Sequence, residues 1–157
     1  TGNKLKKIDK DYLKDKNINA LIHTSVYELV LIDCGLDWSQ IDILAPVLCY
    51  IETFIVLKPV FYDFQLVQAA QGPFQTLKFV NLEDNGICSW DEIDEFRRLK
   101  NLKRLTLNKN HIPKITYKAG WPELYVLSIE DNAIEDFSNI DQLNEFPMIR
   151  QLRIANN

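Results

Sequence analysis

Two histidines, three cysteines and one dense run of carboxylates are the residues here whose chemistry could make a site. His23 precedes the first repeated unit and His111 follows a turn asparagine, and neither has partners at triad or ligand spacing. Cys34, Cys49 and Cys88 are too scattered for a disulfide framework. Cys34 would need exposure to act as a nucleophile, whereas its place in the repeat is that of a small buried residue. The run Asp91-Glu92-Ile93-Asp94-Glu95 could suggest a metal. It also opens an expected helix, where carboxylates complement the dipole and face water, which is the better account. Trp38, Trp90 and Phe137 recur at one place in the repeat, as core residues do, so they are not read as a cofactor box. The five glycines are dispersed, with no G-x-G-x-x-G and no P-loop. The reading is of a chain with no catalytic residues, no cofactor and no metal.

The elements that would position any site come from internal repetition. The pattern L-x-x-L-x-L-x-x-N-x-I stands clearly at Leu102, Leu105, Leu107, Asn110 and Ile112. It recurs at Leu77, Val80, Leu82, Asn85, Ile87 and at Leu124, Leu127, Ile129, Asn132, Ile134. Two looser copies precede: Val26, Leu29, Leu31, Cys34, Leu36 and Ile51, Phe54, Val56, Pro59, Phe61. A sixth begins at Ile149, Leu152 and Ile154 and reaches Asn157. Copies therefore start near 26, 51, 77, 102, 124 and 149, at leucine-rich-repeat spacing. The fold class expected is α/β: a leucine-rich repeat solenoid, a right-handed arc with a concave parallel sheet of about six strands and short convex helices. Residues 1–25 read as a basic lead-in or N-terminal cap, and 26–157 as the repeat domain with its last unit truncated.

Within each unit the central x-L-x-L-x stretch is a short strand whose alternate side chains, such as Leu29 and Leu31, turn inward. The asparagine closes the turn by bonding backbone groups of adjacent units. Pro59 cannot do so, and the ladder is expected to break there. Ser39, Asp91 and Ser138 read as helix N-caps, each with an aromatic before it. Helices are expected near 39–50, 91–99 and 138–145, and near 63–70 behind Asp63. The fourth unit, with Pro113 and Pro122, has room only for an irregular or 3₁₀ return.

The outward strand positions are Glu28, Val30, Ile32; Thr53, Ile55, Leu57; Phe79, Asn81, Glu83; Arg104, Thr106, Asn108; Val126, Ser128, Glu130; and Gln151, Arg153, Ala155. Val30, Ile32, Ile55, Leu57 and Phe79 form a continuous apolar surface, and the later strands are polar. Such a patch usually marks a partner. The partner-binding set read from this face is Val30, Ile32, Ile55, Leu57, Phe79, Asn81, Glu83, Arg104, Asn108, Glu130 and Arg153.

Composition narrows the class further. The chain has 157 residues, 46% hydrophobic and 25% charged, and a net charge of −4. Residues 1–16 hold six lysines against three aspartates, which leaves the remainder acidic at −7. Nucleic acid is thereby a poor partner, since phosphate contacts need a clustered basic surface. No apolar run is long enough for a membrane span. Scattered cysteines and the lack of an Asn-x-Ser/Thr sequon suit a reducing, intracellular setting. Thr1 in place of Met, and an end at Asn157 inside a repeat, suit a central piece of a longer protein.

Residues 77–157 carry three motifs that point to one family. They are the step Asn85-x-Ile87-x-x-Trp90-Asp91-x-Ile93, the run Leu99-Lys100-Asn101-Leu102-x-x-Leu105-x-Leu107-Asn108, and Asn132-x-Ile134-x-Asp136-Phe137-Ser138-x-Ile140-Asp141-x-Leu143-Asn144-x-Phe146-Pro147. This stretch, with 26–48 as an earlier unit, resembles the leucine-rich domain of the tubulin-folding cofactor E family. The match is loose over 51–75. The resemblance implies a chaperone role in assembling or dismantling the α/β-tubulin heterodimer, with α-tubulin and the other tubulin-folding cofactors as partners. It implies a cytoplasmic, cytoskeleton-associated location, with a CAP-Gly domain before the repeats and a ubiquitin-like domain after them in whole members. It carries over no contact residues. The alternative from the repeats alone is another intracellular scaffold, such as a spliceosomal or phosphatase-associated adaptor.

Overall fold

A computed structural model describes residues 27–33, 50–57 and 74–157. Each copy of the repeat contributes one short strand: β1 (Glu28–Ile32), β2 (Thr53–Leu57), β3 (Phe79–Asn81), β4 (Arg104–Thr106), β5 (Val126–Ser128) and β6 (Gln151–Arg153). They form one six-stranded sheet in chain order, and every neighbouring pair is parallel. Sequential parallel strands need a return segment between each pair, and over β3 to β6 the returns pack Trp90, Phe96, Trp121 and Phe146 into the core on one side of the sheet.

The register stacks like on like. Leu29 pairs with Phe54, then Val80, Leu105, Leu127 and Leu152 follow along one row. Phe54, Val80, Leu105 and Leu127 are fully buried, as are Leu82, Leu107 and Ile129 two positions on. Burial on this scale contributes about 1.5–3 kcal/mol per large side chain, which is why the apolar positions dictate the register. The ends of the row differ: Leu29 is only half-buried, and Leu152 on β6 is 37% exposed.

Asparagines bind one unit to the next. The Asn110 carboxamide accepts from the backbone N–H groups of Asn85 and Ile87, both at 3.0 Å, and donates to Leu82 and Leu107 carbonyls at 2.9 and 2.8 Å. Asn132 donates to Leu107 at 2.9 Å and accepts from Ile112 at 3.1 Å. Asn157 repeats the pattern on Ile129 and Ile134. Asn85 donates to Val56 at 2.7 Å, but its Oδ1 is buried without a hydrogen-bond partner among the described residues. Pro59, where the ladder is expected to break, lies outside the described residues. Among the described residues, the one before each ladder position is left-handed: Asp33, Asp84, Lys109, Asp131 and Asn156 all have φ between 49° and 57°. Asp and Asn tolerate that conformation best, and Lys109 is the exception.

The returns differ from expectation in helix type and caps. Where the pattern predicts helices over 91–99 and 138–145, the structure has 3₁₀ helices Trp90–Glu92, Asp94–Arg98 and Phe137–Glu145. A 3₁₀ helix rises about 2.0 Å per residue against about 1.5 Å for an α-helix, so it covers the way back to the next strand with fewer residues. The caps are Ser89 and Asp136, not Asp91 and Ser138. Ser89 accepts from Asp91 N–H, while Glu92 Oε1 accepts from Cys88 and Ser89 N–H at 2.9 Å each. The aromatic is therefore the first helical residue, not a staple outside it. Expected helices at 39–50 and 63–70 lie almost wholly outside the described residues, as do Trp38, Ser39 and Asp63.

Trp90 is buried, as its recurrence predicts, and packs on Trp121 and Phe146 with ring centroids 6.0 and 6.2 Å away. The fourth return, between Ile112 and Leu124, has no helix. It is held instead by Trp121 N–H donating to the Arg97 carbonyl at 2.8 Å and by Lys118 bridging Asp91 and Asp94 at 2.9 and 3.2 Å. Those contacts use the acidic run that the sequence offered as a metal candidate. Hydrogen bonds to both carboxylates hold the Lys118 ammonium above its usual pKa.

Candidate interaction surface

The inward strand residues lie in the core, and the other face of the sheet carries the alternate strand positions in rows set by the register. Val30 stands beside Ile55 and Ile32 beside Leu57. Phe79 lies next to Thr53, one diagonal from Ile55. The five apolar residues expected on this face are thus brought together. Val30 and Ile32 are 44% and 53% exposed, and Ile55, Leu57 and Phe79 are half-buried. Tyr27 and Tyr50, which the repeat pattern did not single out, add two exposed rings at the N-terminal ends of β1 and β2. Tyr27 directly precedes β1, whereas Tyr50 stands three residues before β2.

The polar members of the expected set are spent largely on one another. Asn81 Oδ1 accepts from its own loop, at Glu83 N–H, 2.9 Å away. Glu83 pairs with Lys109 at 2.7 Å, across to the next unit. That hydrogen bond, and the charge of Glu83 behind it, hold the Lys109 ammonium above its usual pKa. Asn108 accepts from Ser128 Oγ at 2.8 Å and Glu130 N–H at 3.0 Å, and donates to Glu130 Oε2 at 3.2 Å. Arg104 is exposed, with its guanidinium over the Phe79 ring, and Arg153 is exposed on β6. Val126 and Ser128, expected to face outward in the open, are buried instead. The register sets Val126 between Arg104 and Gln151, and the Asn108 network covers Ser128.

The face is therefore apolar and open over β1 to β3, and polar and internally bonded over β3 to β5. Among the described residues no group of three or more His, Cys, Asp or Glu is placed to hold a metal ion. Among them, too, no helix is long and apolar enough to cross a membrane.

No family model matches the chain. Curated relatives do. Tubulin-folding cofactor E of Arabidopsis thaliana is 30% identical over 141 residues, covering 82% of this chain and 27% of that protein. The tubulin-specific chaperone cofactor E-like proteins of Rattus norvegicus and Homo sapiens are each 25% identical over 138 residues, covering 83% of this chain. The chain spans about a third or less of the length of the relatives it matches, 27% of the first and 32% of the others. With the repeat motifs, the six stacked strands and these matches together, the chain is a relative of tubulin-folding cofactor E.

Proposed function

We propose that this chain is the leucine-rich repeat domain of a cytoplasmic, cytoskeleton-associated tubulin-folding chaperone. In this reading the six-stranded sheet lines the concave side of a right-handed solenoid. Its open face binds α-tubulin while the α/β heterodimer is assembled or taken apart, in concert with other tubulin-folding cofactors. The observation that carries it is the apolar patch of Val30, Ile32, Ile55, Leu57 and Phe79 on the uncovered face, in a chain related to such chaperones. A rigid platform with different affinity for two client states shifts the client between them without any chemistry of its own. Nothing in this role asks for catalytic side chains.

Tubulin capture tests it. The chain immobilised on beads should retain α-tubulin, and Ile55→Asp with Phe79→Asp should lower retention at least about tenfold while the melting temperature changes little. Binding to an apolar patch concentrates in a few desolvated side chains, so two carboxylates there are decisive. Full retention by the folded double variant removes the patch from the reading. No retention by the wild-type chain, with capture of another intracellular protein through the same patch, favours the scaffold alternative.

A further inference from the structure

The register also aligns a row that the outward strand positions do not include: the residue just before each strand. Lys103 N–H and Arg104 N–H donate to the Lys78 carbonyl, Tyr125 and Val126 N–H to that of Lys103, and Arg150 and Gln151 N–H to that of Tyr125. Lys78, Lys103, Tyr125 and Arg150 therefore stand side by side along the N-terminal edge of β3 to β6, and all four are exposed. Arg104, the first residue of β4, rises immediately beside this row and is also exposed.

These cations are not used as most others on the described surface are. Among the described residues Lys78, Arg97, Arg98, Lys109 and Lys118 each pair with a carboxylate at 3.2 Å or closer. Lys103, Arg104, Arg150 and Arg153 make no such pair among those residues. Arg150 donates to the neighbouring Ile149 carbonyl, and Arg104 rests on Phe79, which leaves guanidinium donors on both turned to solvent. The opposite edge has the other sign. Asp33, Asp84 and Asp131 occupy its left-handed turns, with Glu83 and Glu130 beside them, and its one lysine at such a turn, Lys109, is paired to Glu83.

We propose that the N-terminal edge of β4 to β6 is a docking site for an acidic, extended peptide segment, held by Lys103, Arg104 and Arg150 with the Tyr125 ring as its platform. Charge complementarity and scale both select that occupant. The row from Lys103 to Arg150 crosses two strand spacings, about 10 Å, which an extended chain covers in about three residues. Carboxylates at that spacing meet arginine forks and a lysine ammonium in geometry they accept well. A nucleic-acid duplex is wide enough to reach the acidic edge and would be repelled there, whereas a single peptide strand stays on the basic row. The inference does not rest on the tubulin reading, and it uses a different edge from the apolar patch.

Fluorescence anisotropy of a fluorescein-labelled hexaglutamate peptide is the test, with the chain in about 50 mM NaCl, where charge pairing is weakly screened. Saturable binding is expected, and Lys103→Glu with Arg150→Glu should weaken it about tenfold with no change in melting temperature. Where charge reversal harms folding, Lys103→Gln with Arg150→Gln takes its place and should still weaken binding about threefold. Tyr125→Ala should also weaken it about threefold. The Val30→Asp, Ile32→Asp variant, altered on β1 alone, should bind the peptide as wild type does. No saturable binding, or wild-type binding by the folded charge variant, overturns the proposal. So does equal affinity for a thymidine hexanucleotide, which would mean an unspecific polyanion surface. Concentration-dependent dimerisation abolished by the same charge changes would make a second copy the occupant and overturn it too.

Discussion

Arg104 lies over the face of Phe79, its guanidinium carbon 5.6 Å from the ring centroid, on strands that the register places side by side. This contact joins the apolar and basic halves of the open face at one point. Replacing Arg104 by Ala should expose the ring and cost about 0.5–1 kcal/mol, the range of an exposed cation–π pair. Urea denaturation of the two proteins measures it. A midpoint unchanged in Arg104→Ala would mean that the stacking contributes nothing.

The asparagine ladder predicts unequal losses at equivalent positions. Asn110 accepts two and donates at least two good hydrogen bonds, while Asn85 has an unpartnered Oδ1 among the described residues. Asn110→Ala should cost about 3 kcal/mol or more, since several buried backbone groups lose partners, and Asn85→Ala about half of that. Equal midpoint shifts for the two would contradict the broken rung.

Gly120 is the position where a methyl group cannot fit. Its φ is 141°, and a Cβ would come 2.7 Å from the Arg97 carbonyl oxygen. Gly86 is also left-handed, with φ 67°, but has open space around it. Gly86→Ala should cost about 1 kcal/mol and Gly120→Ala clearly more, about 2–3 kcal/mol. Thermal melts should rank them in that order.

Substitutions along the stacked leucine row should fade toward its end. Leu127→Ala removes a fully buried side chain and should cost about 2–5 kcal/mol. Leu152, 37% exposed one strand further on, should lose about 1 kcal/mol or less. Hydrogen exchange should be slow in β5 and fast in β6. Comparable losses at both positions would show that β6 is packed as tightly as the interior strands.

The Glu83–Lys109 pair should be indifferent to pH near neutrality. Lys109 is raised in the fold by Glu83, so its contribution is fully present below the ordinary lysine range. It is lost only as pH rises through the raised value. Asp136, held low by its hydrogen bonds from Ser138, contributes above the ordinary aspartate range and loses that only as pH falls through the lowered value. NMR titration of Lys109 should show its pKa falling back in Glu83→Gln. A value unmoved by that substitution would deny the pair any role.

Residue types and spacing suffice for the strands, for the inward leucines and for the ladder, because one repeat unit stated six times fixes period and register together. They suffice for buried Trp90 and for the helix-free fourth return, where two prolines forbid regular hydrogen bonding. The caps fall two residues earlier than the pattern indicates, because Ser89 and Asp136 precede the aromatic that marks an apparent boundary. The site is half legible. Its apolar members follow from alternation alone, but Asn81 and Asn108 serve the backbone and side chains of their own and neighbouring units. The Asn108 bonds join units 20 and 22 residues apart, and a one-dimensional pattern does not hold such distances.

The return segments differ in length, and the strands' spacing from their ladder residues does not. Fifteen positions separate Ile87 from Leu102 and Ile134 from Ile149, yet twelve separate Ile112 from Leu124. From Leu102 to Ile112, by contrast, the backbone is tied in register to its neighbours on both sides, so one added residue would flip a strand or strip a ladder bond. Insertions and deletions accumulated over evolutionary time are thereby steered to the covered side of the sheet. The open face keeps its geometry while its side chains vary, and a lineage can change what that face recognises without rebuilding the platform that presents it.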